Sequence, residues 1–192
     1  MINVTVAVMG CGHWGKNLAR NFAELGALKA LVDPNPDTAA KHADMHGVAS
    51  MASDEVLASD VDGVVIAAPA ELHADLALKA IAAGKHVYVE KPLALSVADG
   101  EKMRDAANDA DRILMVGHLL QYHPVFVALR DRVRAGELGK LRYAYSNRLS
   151  TGKFRVEEDA FWSLAPHDVS MLLALFDEAP SEVRLSGLDF IT

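Results

Sequence analysis

The 192-residue chain is poor in cysteine, lacks a basic excess and has no long apolar run. Each lack removes a class of answers. A single cysteine, Cys11, excludes any internal disulfide and fits a reducing compartment. Nineteen Lys plus Arg against 26 Asp plus Glu leave a formal charge of -7. Nothing is then available to neutralise a run of phosphates, which argues against a general nucleic-acid binder. No apolar stretch approaches the ~20 residues of a membrane span. The opening MINVTVAVMGCG has neither a basic leader nor a cleavage site, so it reads as structure, and a cytoplasmic setting is expected. Aromatics are scarce at 6%, yet 51% of the chain is hydrophobic and 23% charged, the balance of a globular protein and not of a disordered tail.

What is present alternates. Ile2–Met9, Ala27–Val32, Asp62–Ala68, His86–Val89 and Ile113–Val116 are short β-branched or apolar runs that read as buried strands. Between them lie helical stretches at Lys16–Leu25, Asp37–Met45, Glu71–Ala83 and Ser96–Ala110, most of them stopped by a glycine. This order predicts an α/β fold, a doubly wound parallel sheet of the Rossmann type over residues 1–118. After Gly117 the character changes: three of the ten arginines precede residue 119 and seven follow it. Residues 119–192 are expected to give a helix over Pro124–Arg134, an alternating strand over Leu141–Leu149, a helix from Pro166 to Phe176 and a strand near Val183–Phe190. Two strands and two helices leave sheet edges open, so this second domain reads as incomplete.

Gly10-Cys11-Gly12-His13-Trp14-Gly15 fits G-x-G-x-x-G, and it follows a predicted strand and opens a predicted helix. Gly10 permits the tight turn, Gly12 lets backbone approach a pyrophosphate, and Gly15 lets helix and strand pack closely. The helix N-terminus supplies amides and positive dipole to the phosphates. Asp33 closes the second strand, where a carboxylate accepts from a ribose 2′-hydroxyl and repels a 2′-phosphate, so NAD is expected over NADP. Cys11 reads as a packed, inert thiol and Trp14 as a packing residue of the first helix.

The segments Ala67-Ala68-Pro69-Ala70-Glu71-Leu72-His73 and Ala83-Gly84-Lys85-His86-Val87-Tyr88-Val89-Glu90-Lys91-Pro92-Leu93, with Tyr122-His123-Pro124 further on, resemble the glucose–fructose oxidoreductase / inositol dehydrogenase (Gfo/Idh/MocA) family. The strand-ending Glu-Lys-Pro is its most specific mark. The resemblance implies an NAD-binding domain followed by the start of an α+β domain with a mostly antiparallel sheet. Family members run on past residue 192, so the chain is expected to be a partial one, and the full-length protein a homo-oligomer through that sheet. Asn147-Arg148-Leu149-Ser150-Thr151-Gly152-Lys153 and Phe161-Trp162-Ser163-Leu164-Ala165-Pro166-His167-Asp168 look most like the sugar-nucleotide branch, which oxidises the 3-hydroxyl of UDP-N-acetylglucosamine or its uronate.

The resemblance gives Lys91 the role of binding the substrate hydroxyl and stabilising the alkoxide, with Glu90 orienting it, and gives His167 the role of base. A Lys91–Pro92 peptide in the cis form is implied too. The cofactor is expected to meet Gly10, Cys11, Gly12, His13, Trp14, Gly15, Asp33, Ala68, Pro69, His73, Glu90 and Lys91. His73 and His123 border the nicotinamide or substrate in one reading and pack or face solvent in the other. His167 is placed in the first turn of a helix after Pro166, opposite a stripe of Val169, Leu172, Leu173 and Phe176 that faces the core. Many family members carry an aspartate at the position of Ser163, so proton transfer here falls to His167 and Lys91, with Asp168 as a possible helper. Arg142 and Arg148 share a strand face and Lys153 and Arg155 follow in the loop; Arg148, Lys153 and Arg155 are candidate diphosphate or carboxylate binders, and a solvated face fits them equally well. No histidine has metal-ligand spacing with a third ligand, so no metal is expected. The leading reading is an NAD-dependent dehydrogenase of a sugar or sugar-nucleotide secondary hydroxyl. Its alternatives are a simple sugar or polyol dehydrogenase and a catalytically silent NAD-binding sensor.

Overall fold

The computed structural model describes residues 4–149 and 160–187. They fall into two compact units, Met1–Gly117 and His118–Thr192.

The first unit is a six-stranded sheet, all parallel, in the order β3-β2-β1-β4-β5-β6. The strands are β1 (Val6–Met9), β2 (Leu28–Val32), β3 (Ala49–Ser50), β4 (Gly63–Ile66), β5 (His86–Val89) and β6 (Leu114–Val116). The helices are α1 (Gly15–Glu24), α2 (Pro36–His46), α3 (Ser53–Ala58), α4 (His73–Ala82) and α5 (Val97–Asp109). β1 and β4 are buried at every position, as central strands covered on both faces must be. One apolar cluster gathers Met9, Val64, Ile66, Ile81, Val87, Val89 and Met103; another gathers Val8, Ala19, Leu31, Ala43 and Val65. Each fully buried Val, Leu or Ile contributes about 1.5–3 kcal/mol to holding the layers together.

The helices start where their capping chemistry lies. Asn35 Oδ1 accepts from the N–H groups of Asp37 and Thr38, with Pro36 in the first helical position, and Gly47 closes α2 at φ 65°. Ser96 Oγ accepts from Asp99 N–H at the start of α5. Two elements escape the sequence pattern. β3 is two residues long and α3 six, too short to show a period. The expected helix over 71–83 divides into a 3-10 turn, Ala70–Leu72, and α4.

In the second unit α6 (Pro124–Arg134) forms as expected, with His123 Nδ1 accepting from Val125 N–H as its cap. α7 runs Ala160–Phe176 and corrects two expectations. Pro166 lies inside the helix and not at its start, so His167 is a mid-helix residue and not one of the first turn. Val169 and Leu173 of the expected core stripe are 43% and 41% exposed, whereas Met171, Leu172 and Leu175 line a groove with Phe126. Residues 141–149 and 182–187 form no strand; no described residue supplies a ladder to pair them. The antiparallel sheet is therefore absent among the described residues.

Candidate active site

The strand order reverses between β1 and β4, and in a parallel sheet that switch point opens a crevice at the carboxyl ends of the strands. The glycine loop, the β4 end, and the β5 end with Glu90 and Lys91 all lie at that edge.

The loop is built by close backbone approach. Gly10 ends β1 at φ 99°, and a Cβ there would meet Ala67 O at 2.6 Å. A Cβ on Gly15 would lie 1.8 Å from Gly10 O, so the start of α1 packs directly on the loop. Gly12 has nothing within 4 Å of an added Cβ, which leaves its face open to a pyrophosphate. These features fit a dinucleotide. Gly10 N–H donates to Val32 O at 2.8 Å and Cys11 N–H to Asp33 Oδ2 at 2.8 Å, which ties the loop to β2. Asp33 Oδ1 accepts from Asn35 N–H at 2.9 Å. A carboxylate offers about four acceptor positions, so capacity is left for a ribose hydroxyl. The Cys11 thiol is buried, and burial together with the Asp33 charge pushes it up to about 11. Its side chain is inert, leaving only its backbone to meet a ligand. His13 and Trp14 are exposed.

At the far side of the crevice Glu90 is buried at 7% exposure. Its Oε1 accepts from Trp14 Nε1–H at 2.8 Å and from the Tyr88 hydroxyl at 2.9 Å, and its Oε2 from Lys91 N–H at 3.2 Å. Lys91 is half-buried, and its peptide with Pro92 is cis. His73 is 2% exposed and sits under this edge. Its Nδ1 is 2.7 Å from Pro92 O and its Nε2 2.9 Å from Ala68 O, so both ring nitrogens face backbone. It buttresses the β4 and β5 ends instead of opening onto the crevice. Ala68 is half-buried and Pro69 exposed.

In the second unit, His167 is half-buried and its ring meets His118 edge-on, with centroids 6.4 Å apart and planes at 81°. Sequence reasoning missed His118, because two histidines this far apart in the chain share no period or motif. Asp168 accepts from Ser146 Oγ at 2.6 Å and from Nε and Nη2 of Arg148. Burial pushes its carboxyl up, but the hydrogen bonds from Arg148 and Ser146 and the charges of Arg148 and His167 outweigh it and hold the carboxyl below its ordinary range. Asp168 therefore stays ionised as the partner of Arg148. Arg142 is exposed. Lys153 and Arg155 lie outside the described residues. A groove of about 550 Å³ runs beside Asp168, lined by Leu120, Phe126, Tyr145, Met171 and Leu172 among others.

Comparison with known proteins agrees with this geometry. Residues 4–118 match the model of an oxidoreductase family with an NAD-binding Rossmann fold. The chain is 31% identical over 193 residues to the UDP-N-acetylglucosamine 3-dehydrogenase of Acidithiobacillus ferrooxidans, covering 100% of this chain and 60% of that one. A solved structure of a protein of that name and organism superposes with a TM-score of 0.91 at 30% identity, over 100% of this chain and 60% of that one. The scyllo-inositol 2-dehydrogenase (NAD(+)) of Bacillus subtilis is 33% identical over 146 residues, 73% of this chain and 43% of its own. The chain spans no more than about 60% of these relatives. On motif, fold and similarity alike, the chain belongs to the Gfo/Idh/MocA family of NAD-binding Rossmann oxidoreductases.

Proposed function

We propose that the full-length protein is an NAD-dependent dehydrogenase of a sugar secondary hydroxyl, most specifically the 3-hydroxyl of a UDP-N-acetylamino sugar. The observation that carries this reading is Lys91, fixed at the carboxyl end of β5 beside a buried, triply hydrogen-bonded Glu90, in a chain similar over its whole length to a UDP-N-acetylglucosamine 3-dehydrogenase. Bound NAD supplies the hydride acceptor. Lys91 donates a hydrogen bond to the hydroxyl oxygen and stabilises the negative charge that grows there. His167 accepts the hydroxyl proton, and the carbon is left as a ketone. Ser163 carries no charge to share in this transfer. Asp168 is held ionised by Arg148, so it steadies the helix beside His167 instead of exchanging protons. Lys153 and Arg155 are assigned to the acidic part of the substrate. Asp33 is assigned to the adenine ribose, which sets NAD over NADP. Self-association through the second domain belongs to the same reading.

The test is NADH formation by the full-length protein with UDP-sugars, free sugars and inositols side by side. UDP-N-acetylglucosamine should give the highest kcat/KM. Lys91→Met and His167→Ala should each lower kcat by about 10²–10⁴-fold while NAD affinity changes little. Near-native turnover in either variant removes that residue from the mechanism. NAD binding without turnover of any sugar would favour the sensor instead.

A further inference from the structure

Glu90 is a buried carboxylate whose hydrogen-bond donors come from two distant parts of the chain. Tyr88 and Lys91 are its neighbours on β5 and its exit, but Trp14 reaches it from the glycine loop, 76 residues away in sequence. Gly117 leaves the space that this cluster fills: a Cβ there would lie 2.7 Å from the Tyr88 hydroxyl and 2.8 Å from Glu90 Oε1. Trp14 is the residue immediately before α1 and is 43% exposed, so it is not a core residue, yet its polar edge is fixed on Glu90. One indole N–H thus spans from the loop that takes a pyrophosphate to the strand end that carries Lys91.

We propose that Trp14 is a positioning residue that couples occupancy of the glycine loop to the placement of Lys91, acting through Glu90. The proposal rests on the reading of Lys91 as the group that meets the substrate hydroxyl. With the indole in place, Glu90 Oε1 is held by two donors and Oε2 faces the Lys91 N–H. Without it, Oε1 keeps one donor, the carboxylate turns more freely about its last torsion, and the Lys91 backbone loses a fixed acceptor. A hydrogen bond to a charged group is the stronger kind, so its loss is felt at the partner and not only at the donor. A nucleotide on the loop would sit beside the residue that holds Glu90, and the indole is the path by which its presence would reach the β5 end.

The experiment uses the full-length protein with Trp14→Phe, Glu90→Gln and the double variant. Phenylalanine keeps an aromatic ring and removes only the donor, so Trp14→Phe should fold and melt as the native protein does. Its kcat should fall about tenfold with sugar KM changed less than twofold, and the further loss from Trp14→Phe should be much smaller in the Glu90→Gln background, where the amide oxygen still accepts from the indole but without the charge that strengthens the bond. Nitrogen-15 NMR supplies a readout that needs no substrate. The Trp14 indole resonance should shift on NAD titration and in Glu90→Gln, and the Lys91 amide resonance should shift in Trp14→Phe. Additive losses in the double variant, or a Lys91 amide indifferent to Trp14→Phe, would overturn the proposal. If no sugar is oxidised, the proposed reaction fails, and the two resonances alone decide the coupling.

Discussion

Two glycines of one loop should fail in opposite ways when a methyl group is added. In Gly15→Ala the new Cβ finds Gly10 O at 1.8 Å and Gly10 C at 2.8 Å, where real contacts begin near 3.0 Å. The opposing atoms are backbone, which cannot rotate aside, so α1 or the loop must move by more than an ångström. The loop is held by Gly10 N–H to Val32 O and Cys11 N–H to Asp33 Oδ2, and such a shift strains both. Overpacking by single methylenes costs about 1–3 kcal/mol where side chains can yield; against rigid backbone the expected loss is at or above ~3 kcal/mol, a large share of the ~5–15 kcal/mol that holds a domain folded. In Gly12→Ala the methyl meets nothing within 4 Å. Its expected cost to stability is under ~1 kcal/mol, but the methyl fills the face left for the pyrophosphate, and NAD affinity should fall more than about tenfold. Urea unfolding gives the first quantity and calorimetric NAD titration the second. An unchanged midpoint in Gly15→Ala would refute the packing argument, and native NAD affinity in Gly12→Ala would refute the placement of the phosphates.

Further outcomes concern Asp33, Cys11 and Asp168. Asp33→Ala should erase the preference for NAD over NADP, read as the ratio of their dissociation constants; native protein that binds both equally removes Asp33 from that role. Cys11, raised from 9.0 to about 11, should resist iodoacetamide at pH 8 until the protein is unfolded. Because its folded value lies above the unfolded one, the native state binds the extra proton, and stability should fall as pH rises from about 9 to 11; a flat profile that Cys11→Ala leaves unaltered would contradict this. Asp168 has the opposite sign, since its folded value is lowered. The stability it confers is present above the ordinary carboxylate range and lost as pH falls through its own value, so Arg148→Met should flatten the acid limb of the unfolding curve.

The legible parts of this molecule are those whose reason is local. β5 and α6 were readable to the residue, because a strand between Gly84 and a Glu-Lys-Pro and a helix opened by Pro124 carry their boundaries in their own chemistry. The glycine loop was readable because its glycines recur at a fixed spacing and Gly15 packs directly on Gly10, and Asp33 because it directly follows the apolar run of β2. Position within α7 was not. Pro166 looks like a helix start to any local rule, yet the helix begins six residues earlier, since a proline costs a helix least near its first turns and the apolar residues before it gain more by continuing the coil. The alternating residues 141–149 show why pattern is insufficient: alternation describes a face, and a face becomes a strand only when a neighbour supplies the ladder. The candidate residues of each unit divide on the same line. Lys91 and His167 stand out by motif, but what holds them does not. Trp14 on Glu90, His73 under Pro92, His118 against His167 and Arg148 on Asp168 each join residues far apart in the chain, and no window of sequence contains both partners. Arg148 is the instructive case. Its charge suggested a substrate anion, but a carboxylate of the protein already answers it, so the net field it offers a ligand is that of the pair and not of a lone guanidinium.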